Sequence, residues 1–203
     1  EALYQSNKNL EKRVEERTRE LTEEISLRKE VEEKLRHTAS HDGLTGLPNR
    51  GLLIDRINSA LARGSREHDN FALLFIDLDG FKAVNDTLGH EAGDLLLIEA
   101  ANRISGHIRE TDTAARIGGD EFVILLSDIS GKASVKLFAE KISDFLSAPY
   151  PIGTIQGDIS ASIGIALYPE DGSKNAALLK AADEAMYKVK KDGRNGFRFA
   201  SDE

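Results

Sequence analysis

The N-terminal part of the chain carries few hydrophobic residues among many charged ones, and residues 1–39 contain neither glycine nor proline. This composition predicts one long helix over residues 1–39. Its apolar residues recur mostly at spacings of seven and four, with slips of phase: Leu3, Leu10, Val14, Leu21, Ile25, Val31 and Leu35. So thin a stripe does not stabilise an isolated helix in water, whereas a parallel two-stranded coiled coil buries it. We therefore expect a homodimer through this helix; the alternatives are a solvated single helix or one packed on its own domain.

The rest of the chain alternates between helical and strand-like patterns. Residues 71–78 are apolar on both faces, which predicts a buried central strand. Short apolar runs on either side of Gly118 and Gly119 predict a β-hairpin. Asn49 is a candidate cap for the helix that follows it. The remaining periodicity predicts helices at about 49–63, 81–109 with a break at Gly89, 132–146 and 175–191, and strands near 150–152, 155–167 and 197–199.

A hairpin within this alternation argues against a purely parallel sheet. We predict an α/β (α+β) fold in which helices surround a mixed, largely antiparallel central sheet, preceded by the long coiled-coil helix. The predicted domains are a signalling helix over residues 1–39 and a globular domain over residues 40–203.

The net charge of −8 comes almost entirely from the globular part, where 25 acidic residues face 18 basic ones. Such a surface has no general attraction for nucleic acid, so we expect no nucleic-acid partner. An acidic protein that handles an anionic substrate needs a divalent cation, backbone N–H groups or a few well-placed Lys and Arg side chains.

Cysteine is absent, which excludes disulfides and thiolate metal sites. No apolar run is long enough to cross a bilayer, and there is no signal-peptide pattern. The chain starts at Glu1 rather than methionine. We therefore expect a fragment of a longer cytoplasmic protein, or the cytoplasmic part of a membrane-anchored sensor.

Candidate chemistry lies in two acidic motifs. Asp77 comes at the end of the predicted central strand, and Asp120 and Glu121 lie in the hairpin turn. Ionised carboxylates beside an apolar core need a cation or hydrogen bonds. If the hairpin pairs with residues 71–78, the three carboxylates converge into an oxygen-rich site for Mg²⁺ or Mn²⁺. Either motif alone is equally typical of ordinary turns.

Six motifs, taken together and in this order, resemble those of the GGDEF diguanylate cyclase family over about residues 38–200. They are Asp42–Arg50, Asp77–Lys82, Asn85–Asp94, Arg116–Phe122, Ala182–Tyr187 and Lys190–Asn195. The resemblance implies a nucleotide-cyclase or palm-like fold. It also implies an enzyme that condenses two GTP into cyclic di-GMP and two pyrophosphates, by attack of a 3′-hydroxyl on an α-phosphate across a dimer of half-sites.

The resemblance also assigns roles to residues. It implies two Mg²⁺ (or Mn²⁺) ions per active site, held by Asp77, the carbonyl of Leu78, Asp120 and Glu121, with Asp120 and Glu121 as the catalytic residues. The implied GTP-binding residues are Gly80, Phe81, Lys82, Asn85, His90, Asp94, Lys190 and Arg194.

Two implied subsites involve recognition of guanine. Asn85 and Asp94 face one base only if the helix breaks between them, and Gly89 supplies that break. His90 either contacts the ligand or braces this turn. Arg109 and Asp112 match the family's inhibitory site for the product, although a surface ion pair is the alternative.

Four residues between the long helix and the globular domain are interpreted as a joint rather than as chemistry: Asp42, Thr45, Asn49 and Arg50. Three other functions stay open. The chain could be a non-catalytic receptor for cyclic di-GMP, a cyclase that uses ATP or forms a monocyclic product, or a coiled-coil scaffold. An upstream sensor domain is expected in the full-length protein.

Overall fold

The computed structural model of the protein describes residues 1–67, 69–150 and 159–202, with the backbone alone for residues 2–12 and 14. Its contacts divide the chain into two compact units, Glu1–Ser40 and His41–Glu203.

The first unit is a single helix, α1 (Ala2–Ser40), as the sequence predicts. Ion pairs between successive turns, Arg17 with Glu20 and Arg28 with Glu24, lie on its surface. Its described apolar side chains are largely exposed: Leu21, Ile25, Leu27, Val31 and Leu35. Pairing of two such helices as a coiled coil stays a prediction.

The second unit is a five-stranded sheet with helices on both faces. Its elements are α2 (Arg50–Glu67), β1 (Phe71–Asp79), α3 (Phe81–Leu88), α4 (His90–Ser105), β2 (Thr113–Gly118), β3 (Glu121–Leu126), α5 (Lys132–Ser147), β4 (Ser160–Tyr168), α6 (Asn175–Lys191) and β5 (Gly196–Phe199). The strand order is β2-β3-β1-β4-β5. All neighbouring pairs are antiparallel except β4 and β5, which confirms the mixed, largely antiparallel sheet.

Several predicted boundaries differ from the structure. Helix α2 continues to Glu67 and is capped by Asn49, whose side chain accepts the N–H of Leu52 at 3.1 Å. Helix α4 ends at Ser105 instead of continuing to 109, because the chain turns at Gly106. The predicted strand near 150–152 is wrong at Tyr150, which is not in a strand, and residues 151–158 lie outside the described part.

Strand β1 lies at the centre of the sheet, and all nine of its residues are buried. Its even-numbered residues join one hydrophobic cluster with α4 and α5, while Phe71, Leu73 and Phe75 join the other with α2 and α6. Because side chains alternate along a strand, Asp77 and Asp79 continue the second face, toward α6.

Helix α6 packs very close to the sheet at Gly164 of β4. A Cβ atom at that position would overlap the carbonyl of Ala182 and the backbone nitrogen of Met186. The glycine therefore allows α6 to cross the sheet closely enough for its last turn to reach the end of β1. Nowhere in the described residues is there a helix long and apolar enough to span a membrane.

Candidate active site

Strands β1 and β3 bring the predicted carboxylates together. In the antiparallel register Asp77 lies opposite Glu121. The N–H of Leu78 donates to the backbone carbonyl of Asp120 at 3.3 Å, so the hairpin turn lies against the end of β1. With Asp183 of α6, whose charge also acts on Glu121, these side chains form what we call the acidic cluster: Asp77, Asp120, Glu121 and Asp183.

The acidic cluster holds more negative charge than its surroundings balance. Burial raises the pKa of the Asp77 carboxyl, the hydrogen bond from Lys190 opposes this, and the neighbouring Asp120 raises the pKa again. Burial also raises the pKa of Glu121, and the charges of Asp77, Asp120 and Asp183 add to the effect. A site that disfavours its own ionised carboxylates is one that a cation stabilises.

Lys190 is the nearest balancing charge. Its Nζ lies 2.6 Å from Oδ2 of Asp77, and the two side chains are 29% and 9% exposed. Sequence reasoning assigned this lysine to the substrate phosphates. In the structure it is paired with Asp77, a predicted metal ligand. The predicted phosphate-binding residue and the predicted metal ligand are therefore neighbours.

The chemistry of the donor set suits a hard divalent ion, since carboxylate and carbonyl oxygens are the ligands such ions prefer. Among the described residues, however, no group of three or more His, Cys, Asp or Glu side chains is already arranged as a metal site. A metal bound by Asp77 would therefore share that carboxylate with Lys190 or displace the lysine from it.

The break predicted between Asn85 and Asp94 is present. Gly89 has φ 87° and separates α3 from α4, and its N–H donates to the carbonyl of Asn85 at 3.0 Å. Oδ1 of Asn85 is buried and lacks a hydrogen-bond partner among the described atoms. It rests against Gly93, where a Cβ atom would overlap it. His90 and Asp94 are exposed.

The phosphate contact was predicted in the segment between β1 and α3, at the N–H groups of Gly80 and Phe81, and it stays a prediction. Gly80 has φ 85° and precedes α3, and its carbonyl accepts the N–H of Val84. The N–H groups of Phe81 and Lys82 lie in the first turn, where a helix provides no internal acceptors for them. The Lys82 side chain is exposed.

Arg109 and Asp112 lie in a turn before β2. The carboxylate of Asp112 accepts the N–H of Arg109 at 3.0 Å through Oδ2 and the N–H of Ser127 at 3.0 Å through Oδ1. Both residues line a cavity of about 300 Å³, and the Arg109 side chain is exposed. Asp112 therefore shapes the turn that presents Arg109, a role the sequence did not indicate.

The loop at residues 42–50, which we call the junction loop, is tied to the hairpin turn by Arg116. The guanidinium donates to both carboxylate oxygens of Asp42 at 3.0 and 3.2 Å, and to the carbonyl of Gly119 at 2.8 and 3.0 Å. Thr45 also donates to Asp42 through its N–H and hydroxyl. Burial opposes ionisation of Asp42, but these bonds outweigh it and lower the pKa of the carboxyl.

Asp79 was not among the predicted site residues, although it is buried at the end of β1. Its carboxylate accepts hydrogen bonds from the hydroxyls of Ser160 and Ser162 and from the N–H of Asn195. Two aspartates in one short motif therefore have different surroundings. The serines of β4 and the turn at Asn195 bind Asp79, whereas Lys190 binds Asp77, and a motif in isolation does not reveal these distant partners.

Comparison with known proteins identifies relatives of the whole globular unit. The family described as "Diguanylate cyclase, GGDEF domain" matches residues 39–196. The bifunctional diguanylate cyclase/cyclic di-GMP phosphodiesterase MucR of Pseudomonas aeruginosa is 49% identical over 190 residues, which is 94% of this chain and 27% of that protein. The chain thus spans about a quarter of the length of this relative.

Two solved structures are similar in fold. The GGDEF domain of TpbB from Pseudomonas aeruginosa has a TM-score of 0.77 at 44% identity, covering 79% of this chain and 94% of that one. The coiled coil and GGDEF domain of DgcB from Caulobacter crescentus, in complex with cyclic di-GMP, has a TM-score of 0.84 at 29% identity, covering 92% and 98%.

Proposed function

Because the chain belongs to the GGDEF diguanylate cyclase family, we propose that it is itself a cyclase that condenses two GTP into cyclic di-GMP and releases two pyrophosphates. The observation that supports this most directly is the crowding of Asp77, Asp120 and Glu121 at the ends of β1 and the hairpin. Burial and mutual repulsion in this cluster match a site made for a divalent cation and a phosphate.

The side chains divide the work of the proposed reaction. Asp77, the Leu78 carbonyl, Asp120 and Glu121 would hold two Mg²⁺ or Mn²⁺ ions, which lower the pKa of the attacking hydroxyl and offset charge on the α-phosphate. Asp120 accepts the proton of the 3′-hydroxyl. The bond from O3′ to the α-phosphorus forms as the bond to the pyrophosphate oxygen breaks, and pyrophosphate carries away the displaced charge.

Binding residues orient the substrate in this proposal. The N–H groups of Gly80 and Phe81 at the start of α3, together with Lys190 and Arg194, contact the terminal phosphates. Lys190, which is paired with Asp77 in the structure, would bind a phosphate instead when a cation occupies that carboxylate.

Guanine is recognised by Asn85 and Asp94, with His90 beside them. An aspartate accepts guanine N1–H and N2–H, and adenine would leave that charge unpaired. Such a site discriminates guanine from adenine by about 10⁴-fold or more. Oδ1 of Asn85, which packs against Gly93 without a hydrogen-bond partner among the described atoms, gains one if the amide turns toward the base.

Two copies are needed, because a symmetric product has two bonds to close and one domain holds one GTP. Pairing of α1 as a coiled coil brings two half-sites face to face, and an upstream sensor would act by shifting that pairing. Cyclic di-GMP would bind back at Arg109 and Asp112 as an inhibitor.

A receptor function is the second candidate, favoured by the cavity beside Arg109 and by the cyclic di-GMP bound in the DgcB structure.

The test of the proposed function is incubation with GTP and Mg²⁺ followed by mass identification of the products. We expect cyclic di-GMP and pyrophosphate from the wild-type chain and from Asp144→Asn, an exposed control on α5, and neither from Asp120→Asn. Binding of cyclic di-GMP without turnover supports the receptor; consumption of ATP supports another cyclase.

A further inference from the structure

Asp79 is the last residue of β1, and its carboxylate is engaged by four neighbours. Oδ1 accepts the hydroxyl of Ser162 at 2.9 Å. Oδ2 accepts the hydroxyl of Ser160 at 2.9 Å and the backbone N–H of Asn195 at 3.2 Å. The Nε of Arg194 lies 3.8 Å from Oδ1. A buried carboxylate with this many donors has one orientation, and it offers little room for another ligand.

The N–H of Asn195 belongs to a turn between α6 and β5 with an unfavourable backbone. Gly193, Arg194 and Asn195 have φ values of 117°, 67° and 50°, so three consecutive residues have positive φ. Only glycine adopts such angles freely, and the other two residues need contacts that hold them there. Three contacts serve this: the Arg194 N–H donates to the carbonyl of Val189 at 3.0 Å, the Asn195 N–H donates to Asp79, and the Ser147 hydroxyl donates to Oδ1 of Asn195 at 3.2 Å.

The same turn presents Arg194 to solvent. Its contact with Asp79 is made through Nε, and its side chain is 61% exposed. The terminal nitrogens of a guanidinium oriented in this way are available to an anion.

We infer that Asp79 is a positioning residue for the nucleotide triphosphate. It fixes the turn at residues 193–195 through the N–H of Asn195, and its charge attracts the Nε of Arg194 at 3.8 Å, so that the guanidinium is held near the terminal phosphates before they arrive. The inference rests on the proposed function, in which Arg194 contacts those phosphates. Pre-ordering of this kind strengthens binding because less freedom is lost when the ligand enters.

Asp79→Asn is the sharpest change. An amide of the same shape loses the charge and keeps one acceptor oxygen. Its NH₂ lies either against the hydroxyl of Ser162, which must turn to accept from it, or against the N–H of Asn195, which cannot accept. The exposed Asp144→Asn makes the same chemical change without such neighbours and is the matched control.

The first measurement compares two ligands, the α,β-methylene analogue of GTP and guanosine monophosphate, which lacks the terminal phosphates. We expect Asp79→Asn to weaken the triphosphate about tenfold and the monophosphate less than about twofold. Arg194→Ala should do the same, and the double variant should be no weaker than Arg194→Ala alone, since both changes remove one arrangement. Equal losses for both ligands, or losses that add, overturn the inference.

The second measurement needs no nucleotide. Amide hydrogen exchange at residues 193–196 should rise at least about tenfold in Asp79→Asn and stay unchanged in Asp144→Asn. If Asp79→Asn does not fold, Ser160→Ala removes one donor and should give the same pattern at about half the logarithmic size. If exchange at the turn rises in Asp79→Asn but the wild type makes no cyclic di-GMP, the positioning role stands and the cyclase function is rejected. If the wild type makes cyclic di-GMP but exchange at the turn does not change in Asp79→Asn, the positioning role alone is rejected.

Discussion

The acidic cluster and the junction loop both contain carboxylates that are at least partly buried, Asp77 and Glu121 in the first and Asp42 in the second, but the shifts of their pKa values are opposite. In the junction loop, hydrogen bonds from Thr45 and Arg116 lower the pKa of Asp42. In the acidic cluster, burial and neighbouring carboxylates raise the pKa of Asp77 and Glu121. The first arrangement stabilises the fold by itself. In the second, the ionised carboxylates are disfavoured, and the cation of the proposed function would offset this.

Arg116 connects these two regions. One side of its guanidinium holds Asp42, and the other holds the carbonyl of Gly119 in the turn that carries Asp120. Order in the junction loop therefore also fixes the turn of the acidic cluster.

Glu121→Gln should give the largest effect. It removes a proposed metal ligand, so we expect turnover to fall about 1,000-fold or more. It also removes a charge that three neighbours repel, so the metal-free domain should become about 1 kcal/mol more stable. Product analysis and urea unfolding in the presence of a chelator measure the two results. A variant that is both inactive and less stable would mean that Glu121 is a structural acid like Asp42.

Asp42→Ala is the opposite case. It removes the acceptor for Arg116 and Thr45, and the free energy of unfolding should fall by about 2 kcal/mol because hydrogen bonds to a charged group are lost. Turnover should drop less than about tenfold, since Arg116 keeps its bonds to Gly119. Asp55→Ala, on the exposed side of α2, is the control. If Asp42→Ala removed activity without lowering stability, the junction loop would belong to the chemistry.

Much of this contrast follows from the sequence, but not all. The buried strand β1 and the Gly118–Gly119 hairpin were predictable because nine apolar or acidic residues and two glycines form strong local signals. Their antiparallel pairing is what brings Asp77 beside Glu121. The helix predicted to 109 was wrong because the apolar Ile108 continues the helical phase, whereas the chain turns at Gly106.

The partners of the two β1 aspartates were not predictable in this way. The contact of Lys190 with Asp77 requires α6 to cross the sheet closely, which depends on Gly164 in another strand. The difference between Asp77 and Asp79 depends on Ser160 and Ser162, which are more than eighty residues away along the chain. Such contacts are set by tertiary packing, and local periodicity carries no information about them.

The dependence of stability on pH gives a third and smaller test of the comparison. Raised pKa values for Asp77 and Glu121 mean that their unfavourable charge is absent below about pH 4 and develops as the pH rises through the folded values. The lowered pKa of Asp42 means that its contribution is present above about pH 4 and is lost as the pH falls through its folded value.

Measured together, the two variants should therefore diverge. The stability advantage of Glu121→Gln over wild type should grow from about pH 4 to pH 7, to about 1 kcal/mol, and Mn²⁺ should reverse it at pH 7 by stabilising only the wild type. The deficit of Asp42→Ala should be largest at neutral pH and shrink in acid. Thermal unfolding at several pH values measures how the stability of each variant relative to wild type depends on pH. If both differences changed with pH in the same way, the two regions would not differ in their electrostatics.

Thr45→Val should have the smallest effect, and it asks how much of the junction loop depends on Arg116. The substitution removes the 2.7 Å hydroxyl bond to Asp42 and the 3.5 Å bond from the Leu47 N–H, but keeps the Thr45 N–H bond and the guanidinium contact. Because Asp42 retains its charged partner Arg116, we expect a loss of about 1 kcal/mol or less, with no change in turnover. Thr45→Ser keeps the hydroxyl and should match the wild type closely. A loss as large as that of Asp42→Ala would mean that the hydroxyl, rather than Arg116, holds the loop, and the connection between the two regions would then pass through Thr45.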